Sequence, residues 1–172
     1  MQTKLQIAIL ADTHGYLDER IAELVVACDY SVHAGDIGSA GVLALLNSRR
    51  GKAVVVRGNN DLPQKWIGQQ DLLNKLPLEA ELPLPGGQLM VVHGHRAGPV
   101  ATRHLNLRKR YPQARAVVYG HSHRMVRDQV QLPWILNPGA AGKSRTYGGP
   151  SCMILHIDGE QWRVETLRFN KL

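Results

Sequence analysis

Apolar residues follow one rhythm in the first third of the chain and another beyond it. Leu5 to Leu10 is a continuous apolar run that reads as a strand, and the stretch beginning at Leu17 places Leu17, Ile21, Leu24, Val25 and Cys28 at helical intervals. Ser31 to His33 then reads as a short strand, Ala40 to Leu46 as a helix and Ala53 to Val56 as a further strand. This succession predicts parallel strands covered by helices. After residue 78 the pattern changes. Glu79 to Leu84 and Gln88 to Val92 flank Pro85-Gly86-Gly87, a hairpin signal, so the sheet is expected to become mixed. A helix from Val100 to Arg110 leads to a strand at Ala116 to Tyr119. Met125 to Leu132, Trp134 to Leu136, Cys152 to Ile157 and Arg163 to Phe169 are expected to finish the chain as mostly antiparallel strands, with Asp158-Gly159 as a turn. No repeat or linker interrupts residues 1–172, so the expectation is an α/β fold in a single domain.

Composition narrows the class. A chain of 172 residues with 44% hydrophobic and 20% charged positions is ordinary for a soluble globular protein and buries a core without staples. The apolar run Ile7 to Ala11 is too short for a signal-peptide core. No stretch approaches the roughly 20 residues of a membrane span, so a cytoplasmic location away from membranes is expected. Cys28 and Cys152 lack a close-spaced partner and read as small buried hydrophobes. The net charge of +7 draws anions, phosphorylated substrates included. Its densest segment holds Arg103, Arg108, Lys109, Arg110 and Arg115, which reads as the solvated face of a helix. With one phenylalanine and 5% aromatics the chain is poor in residues that stack bases. Nucleic acid remains possible as a substrate but is not indicated.

The chemistry gathers where the predicted strands end. Asp12 and His14 follow the first, Asp36 the second, Asn59 the third, His93 and His95 the return strand of the hairpin, and His121 with His123 the next. Open α/β sheets bind ligands outside such carboxyl ends. One histidine there is ordinary, but the same event at strand after strand predicts convergence on one edge. Carboxylate, amide oxygen and imidazole suit divalent first-row metals better than a thiolate-bound structural zinc, and the donors suffice for two ions. Residues two apart on a strand-like turn point the same way, so Asp12 with His14 and His121 with His123 are expected to present donors in pairs. Gly139 to Ser144 resembles a phosphate-binding loop but has Asn137 where that motif needs glycine. Lys143 and Arg145 are read as surface residues, with the alternative that they sit near the mouth of the site, where a basic group could hold a substrate phosphate. His33 is expected to be packed beneath it, and His104 and His156 at the surface. No Gly-x-Ser-x-Gly elbow or Cys/His pair supplies a protein nucleophile.

In order along the chain, Asp12-Thr13-His14, Gly35-Asp36, Gly58-Asn59-Asn60-Asp61, His93-Gly94-His95 and Gly120-His121-Ser122-His123 resemble the motifs of the calcineurin-like metallophosphoesterases. Size and Asn137-Pro138-Gly139 make the chain similar to their small bacterial and archaeal branch of phosphodiesterases. The resemblance runs from Leu5 to about Gly139. It implies a four-layer α/β/β/α sandwich with two mixed sheets, and a first metal held by Asp12, His14, Asp36 and His123. A second would be held by Asp36, Asn59, His93 and His121, with Asp36 bridging. It further implies in-line attack of a metal-bound hydroxide on a phosphate-ester small molecule, a diester before a monoester and nucleotide-derived molecules among the candidates. Manganese is favoured over iron, nickel, cobalt or zinc. Asp36, Asn59, His95 and Asp61 are the expected catalytic positions, His95 as a phosphate-facing group or a plain structural one. One departure stands out: many members have histidine where this chain has Asn60, and that histidine is thought to protonate the leaving group, which an amide cannot do. Two rivals share the fold. One is a scaffold without catalysis, as in a eukaryotic relative known chiefly as a subunit of a trafficking coat; the other is a nuclease, although such relatives usually carry long insertions absent here. Relatives in the small branch leave a homo-oligomer open.

Overall fold

The apolar runs form ten strands that a computed structural model, describing residues 4–171, arranges in two sheets. The first sheet joins β1 (Lys4–Leu10), β2 (Tyr30–His33) and β3 (Ala53–Val55) in parallel, and then adds two strands from the end of the chain. The second begins with β4 (Glu79–Leu84) and β5 (Gly87–Val92), paired antiparallel, and continues through β6 (Ala116–Val118). It ends with β8 (Trp134–Asn137) and, at its edge, β7 (Val126–Asp128). β9 (Ser151–Asp158) and β10 (Gln161–Arg168) return to the first sheet, giving the orders β10-β9-β1-β2-β3 and β4-β5-β6-β8-β7.

Side-chain alternation explains why β1 reads as continuously apolar. Ile7 and Ile9 point between the sheets, where they meet Leu82, Leu89, Val91, Val118 and Leu136 of the opposite sheet. Ala8 and Leu10 point outward, against Ile21 and Val25 of helix α1 (Glu19–Ala27), Val42 of α2 (Ala40–Ala44) and Leu73 of α3 (Gln70–Lys75). A strand buried on both faces has no polar face to show. On the far side, Met90, Val92, Val117 and Ile135 pack on Leu107 of α4 (Arg103–Arg110). The layers are therefore α/β/β/α, with each sheet mixed. Each fully buried apolar side chain of this kind contributes about 1.5–3 kcal/mol.

Three features differ from the sequence reading. β8 pairs parallel with β6 rather than continuing an antiparallel finish. The chain between them carries the His121 to His123 loop and β7, which is long enough to cross back. The strand expected over Met125 to Leu132 shortens to Val126–Asp128, because the Asp128 carboxylate accepts the Val130 N–H and turns the chain. α3 and the 3-10 turn Pro63–Lys65 were not signalled by periodicity; Trp66 and Leu73 anchor them under the first sheet. No helix among the described residues is long and apolar enough to cross a membrane.

Candidate metal centre

The carboxyl ends of β1, β2, β3, β5 and β6 lie at one rim, and the loops leaving them are laced together. Asp12 N–H donates to Gly35 O at 3.0 Å and His14 N–H to Asp36 O at 2.9 Å, while Gly120 N–H donates to His93 O at 3.0 Å. The sheets are tied to each other by His93, whose Nδ1 donates to Ala34 O at 2.8 Å. The backbone then turns sharply. Asp12, His14, Asp36, His121 and His123 all have left-handed φ, between 47° and 66°. Such a conformation is uncommon outside glycine and costs of order 1–3 kcal/mol per residue where it is strained. The paired donors thus converge through two left-handed residues each, not through the extended turn that sequence spacing suggested. Gly58 is needed beside them, since a Cβ there would meet Asp36 Oδ1 at 2.1 Å and Asp36 N at 2.2 Å.

Two donor sets result. One oxygen or nitrogen from each of Asp12, His14, Asp36 and His123 lies within 4.8 Å of the others. His14 Nε2 faces His123 Nε2 at 3.1 Å and Asp36 Oδ2 at 3.7 Å, and His123 Nε2 is 3.6 Å from Asp12 Oδ1. The second set shares Asp36: its Oδ1 is 3.4 Å from His93 Nε2, and Asn59 Oδ1 is 3.0 Å from both His93 Nε2 and His121 Nδ1. Asp12, Asp36, His93 and His123 are buried, His14 and His121 half-buried, and Asn59 exposed, so the centre opens to solvent on the Asn59 side.

The ionisation states follow from this crowding. Burial pushes the Asp36 carboxyl up, but the hydrogen bond and charge of His93 and two hydrogen bonds from Asn60 outweigh it, and Asp36 is held well below the usual carboxylate range. Asp12 goes the other way: burial, reinforced by Asp36 and opposed by His93, pushes it up to about 7. Burial lowers His14 and His121, and with the Arg145 charge it brings His123 down to about 4. Burial lowers His93, but the hydrogen bond and charge of Asp36 outweigh it and raise its pKa above the usual imidazole range. Asp12 Oδ2 is buried and has no hydrogen-bond partner. An orphaned buried oxygen costs about 1–3 kcal/mol. Neutral imidazoles and ionised carboxylates are the metal-binding forms. Facing lone pairs, an orphaned carboxylate oxygen and a carboxyl that otherwise keeps its proton near neutrality are what divalent cations would resolve, and the residues fit them.

The remaining sequence candidates hold places around the donors. Asp61 is fully buried and its carboxylate is taken up by three backbone N–H groups, those of Ile37, Gly38 and Gly58, which pins the Asp36 loop to the Asn59 loop. Asn60 caps Asp36, its N–H and its side-chain amide each donating at 2.8 Å. His95 sits half-buried with its ring centroid 5.4 Å from that of His93 and 6.3 Å from that of His121, and its buried Nδ1 has no partner. His33 lies packed beneath, donating through Nε2 to Thr13 Oγ1 at 2.9 Å and accepting the Gly35 N–H through Nδ1; burial lowers it to about 3, so it stays neutral. Lys143 stacks over the Tyr16 ring at 3.8 Å, whereas Arg145 reaches His123.

Several supports were invisible in sequence. Asn137 donates to Gly120 O at 2.8 Å and to Ser122 Oγ at 3.0 Å, clamping the His121 to His123 loop. His104 and His156 are half-buried and partnered, His104 by Tyr119 and Asp128 and His156 by Glu165. Arg103, expected on a solvated helix face, is buried beside the Tyr119 ring. These partners lie 9 to 24 positions away along the chain, beyond the reach of local sequence patterning.

Against known proteins, the model of the calcineurin-like phosphoesterase superfamily domain matches residues 5–160. A phosphodiesterase of Methanocaldococcus jannaschii is 23% identical over 92% of this chain and 97% of its own length. A probable metallophosphoesterase of Methanothermobacter thermautotrophicus is 26% identical over 94% of this chain and 91% of its own. Among solved structures, a Vps29 single mutant from Entamoeba histolytica superposes with a TM-score of 0.73 at 19% identity, covering 96% of this chain and all of that one. That likeness concerns the fold.

Proposed function

The chain belongs to the calcineurin-like phosphoesterase superfamily, and from this premise we propose that it is a two-metal phosphodiesterase acting on a small phosphate ester. The observation that carries the reading is the pair of donor sets joined at Asp36. Asp12, His14, Asp36 and His123 would hold one cation, and Asp36, Asn59, His93 and His121 the other. Bound there, two divalent ions supply Lewis acidity to the phosphoryl oxygens and lower the pKa of an attacking water. Only two of the donors are carboxylates, Asp12 and Asp36, so the loaded centre keeps net positive charge, which suits a phosphate anion. Asn60 orients the shared carboxylate and Asp61 fixes the loops that carry Asp36 and Asn59. His95, beside the His93 and His121 rings, is the proposed phosphate-facing group. Manganese is the proposed metal, a nucleotide-derived diester a fitting substrate and the cytoplasm the proposed location; no nucleic-acid or membrane partner is invoked.

Metal analysis of protein purified without chelator, paired with turnover of a bis-aryl phosphate and an aryl monoester, tests this directly. The expected result is up to two ions per chain, with the diester turned over faster; chelation removes hydrolysis and manganese restores it. Two bound ions with no turnover under any divalent metal would instead favour a scaffold on this fold. In the same assay, Asn59→Ala is expected to leave about one tightly bound ion. Gly58→Ala, which pushes a methyl group into Asp36, is expected to weaken manganese binding by the roughly 10–100-fold typical of lost ligand support. Unchanged affinity in either variant would contradict the ligand assignment.

A further inference from the structure

The loop after β8 holds two non-glycine residues in left-handed backbone, Arg145 at φ 51° and Tyr147 at φ 43°. Thr146 between them is buried, and the Ser144 carbonyl accepts from His123 Nδ1 at 3.1 Å, so the loop is fastened to the first donor set. From this anchored turn the Arg145 side chain reaches back to the site. Its Nη2 lies 3.1 Å from His123 Nε2, the same nitrogen that faces His14 Nε2 and Asp12 Oδ1. A guanidinium has only donors, and His123 already donates through Nδ1, so Nε2 offers Arg145 its lone pair. That lone pair is the one a cation in the first donor set would use.

We propose that Arg145 and a cation in the first donor set compete for the His123 Nε2 lone pair, and that the guanidinium, displaced to the rim when a cation binds, clamps the substrate phosphate. The proposal rests on the two-metal reading above. One lone pair cannot serve a guanidinium and a metal ion together, and two positive groups at that distance repel. Because the backbone at Arg145 is held from both sides, the exchange needs only side-chain rotation, and the displaced group stays beside the site. A planar fork of N–H donors matches two oxygens of a phosphate, which a lysine cannot do. Cation entry and anion capture are thereby coupled through one residue.

Chelator-treated wild type, Arg145→Ala and Arg145→Lys are titrated with manganese by calorimetry, and the loaded proteins then with inorganic phosphate. Arg145→Ala is expected to bind the first manganese about tenfold more tightly and phosphate about tenfold more weakly, the scale of one charge-assisted hydrogen bond at an open site. Arg145→Lys is expected to keep manganese affinity near wild type and to recover only part of the phosphate affinity. Unchanged manganese affinity in Arg145→Ala overturns the exchange, and unchanged phosphate affinity overturns the clamp; either result ends the proposal. Wild type that binds no manganese removes the two-metal reading itself. Normal loading by wild type with no response to Arg145→Ala removes only the role of Arg145.

Discussion

Asp36→Ala is expected to abolish metal-stimulated hydrolysis, lowering kcat/KM by about 10³-fold or more, since Lewis-acid stabilisation amounts to several kcal/mol and each 1.36 kcal/mol is a factor of ten. No other residue belongs to both donor sets. Its two oxygens face different partners, Oδ1 toward His93 at 3.4 Å and Oδ2 toward His14 at 3.7 Å. Removing it separates the sets and leaves His93 without the carboxylate that raises its pKa. The fold should survive, because Asp36 lies at the rim of the sheets and Asp61 still ties the two loops through backbone N–H groups. Circular dichroism and a melting curve check this independently of activity. A folded Asp36→Ala protein with normal turnover would end the dinuclear reading.

Asn60→His is expected to speed hydrolysis of esters with poor leaving groups more than that of good ones, by at most the 10²–10⁴-fold of general acid catalysis. The native amide at this position donates to Asp36 and cannot release a proton to a departing alkoxide. Aryl esters, whose leaving groups are weak bases, should therefore be the better substrates of the wild-type protein, and simple alkyl phosphates poor ones. An imidazole at position 60 would stand beside the shared carboxylate and could deliver that proton. The measurement is the dependence of log kcat/KM on leaving-group pKa in both proteins. Equal slopes would place the proton donor elsewhere, with His95 the first residue to replace.

Much of this was legible in the sequence because the signals are local. Strand and helix positions in the first third, the hairpin at Pro85-Gly86-Gly87, and the recurrence of carboxylate, amide and imidazole side chains after successive strands follow from short-range patterning of apolar runs and glycines. Spacing placed Asp12 near His14, but left-handed backbone, not an extended turn, brings them together, and His121 and His123 fall in different donor sets. Tertiary structure decided the rest, for a common physical reason: each undecided feature depends on residues far apart in the chain. β9 and β10 rejoin the first sheet because their apolar faces are buried there against β1 and the opposite sheet, and no local pattern records that choice. The left-handed turns at the donors persist because cross-loop bonds such as His14 N–H to Asp36 O and Asn137 to Gly120 O hold them. Asp61 carries the same residue letter as a metal ligand would, yet three amides from two loops consume its carboxylate. Arg145 was legible as a basic residue near the mouth of the site, but only folding set its guanidinium against His123. Residue identity thus determined which donors were available, and packing of the two sheets determined where each lone pair points.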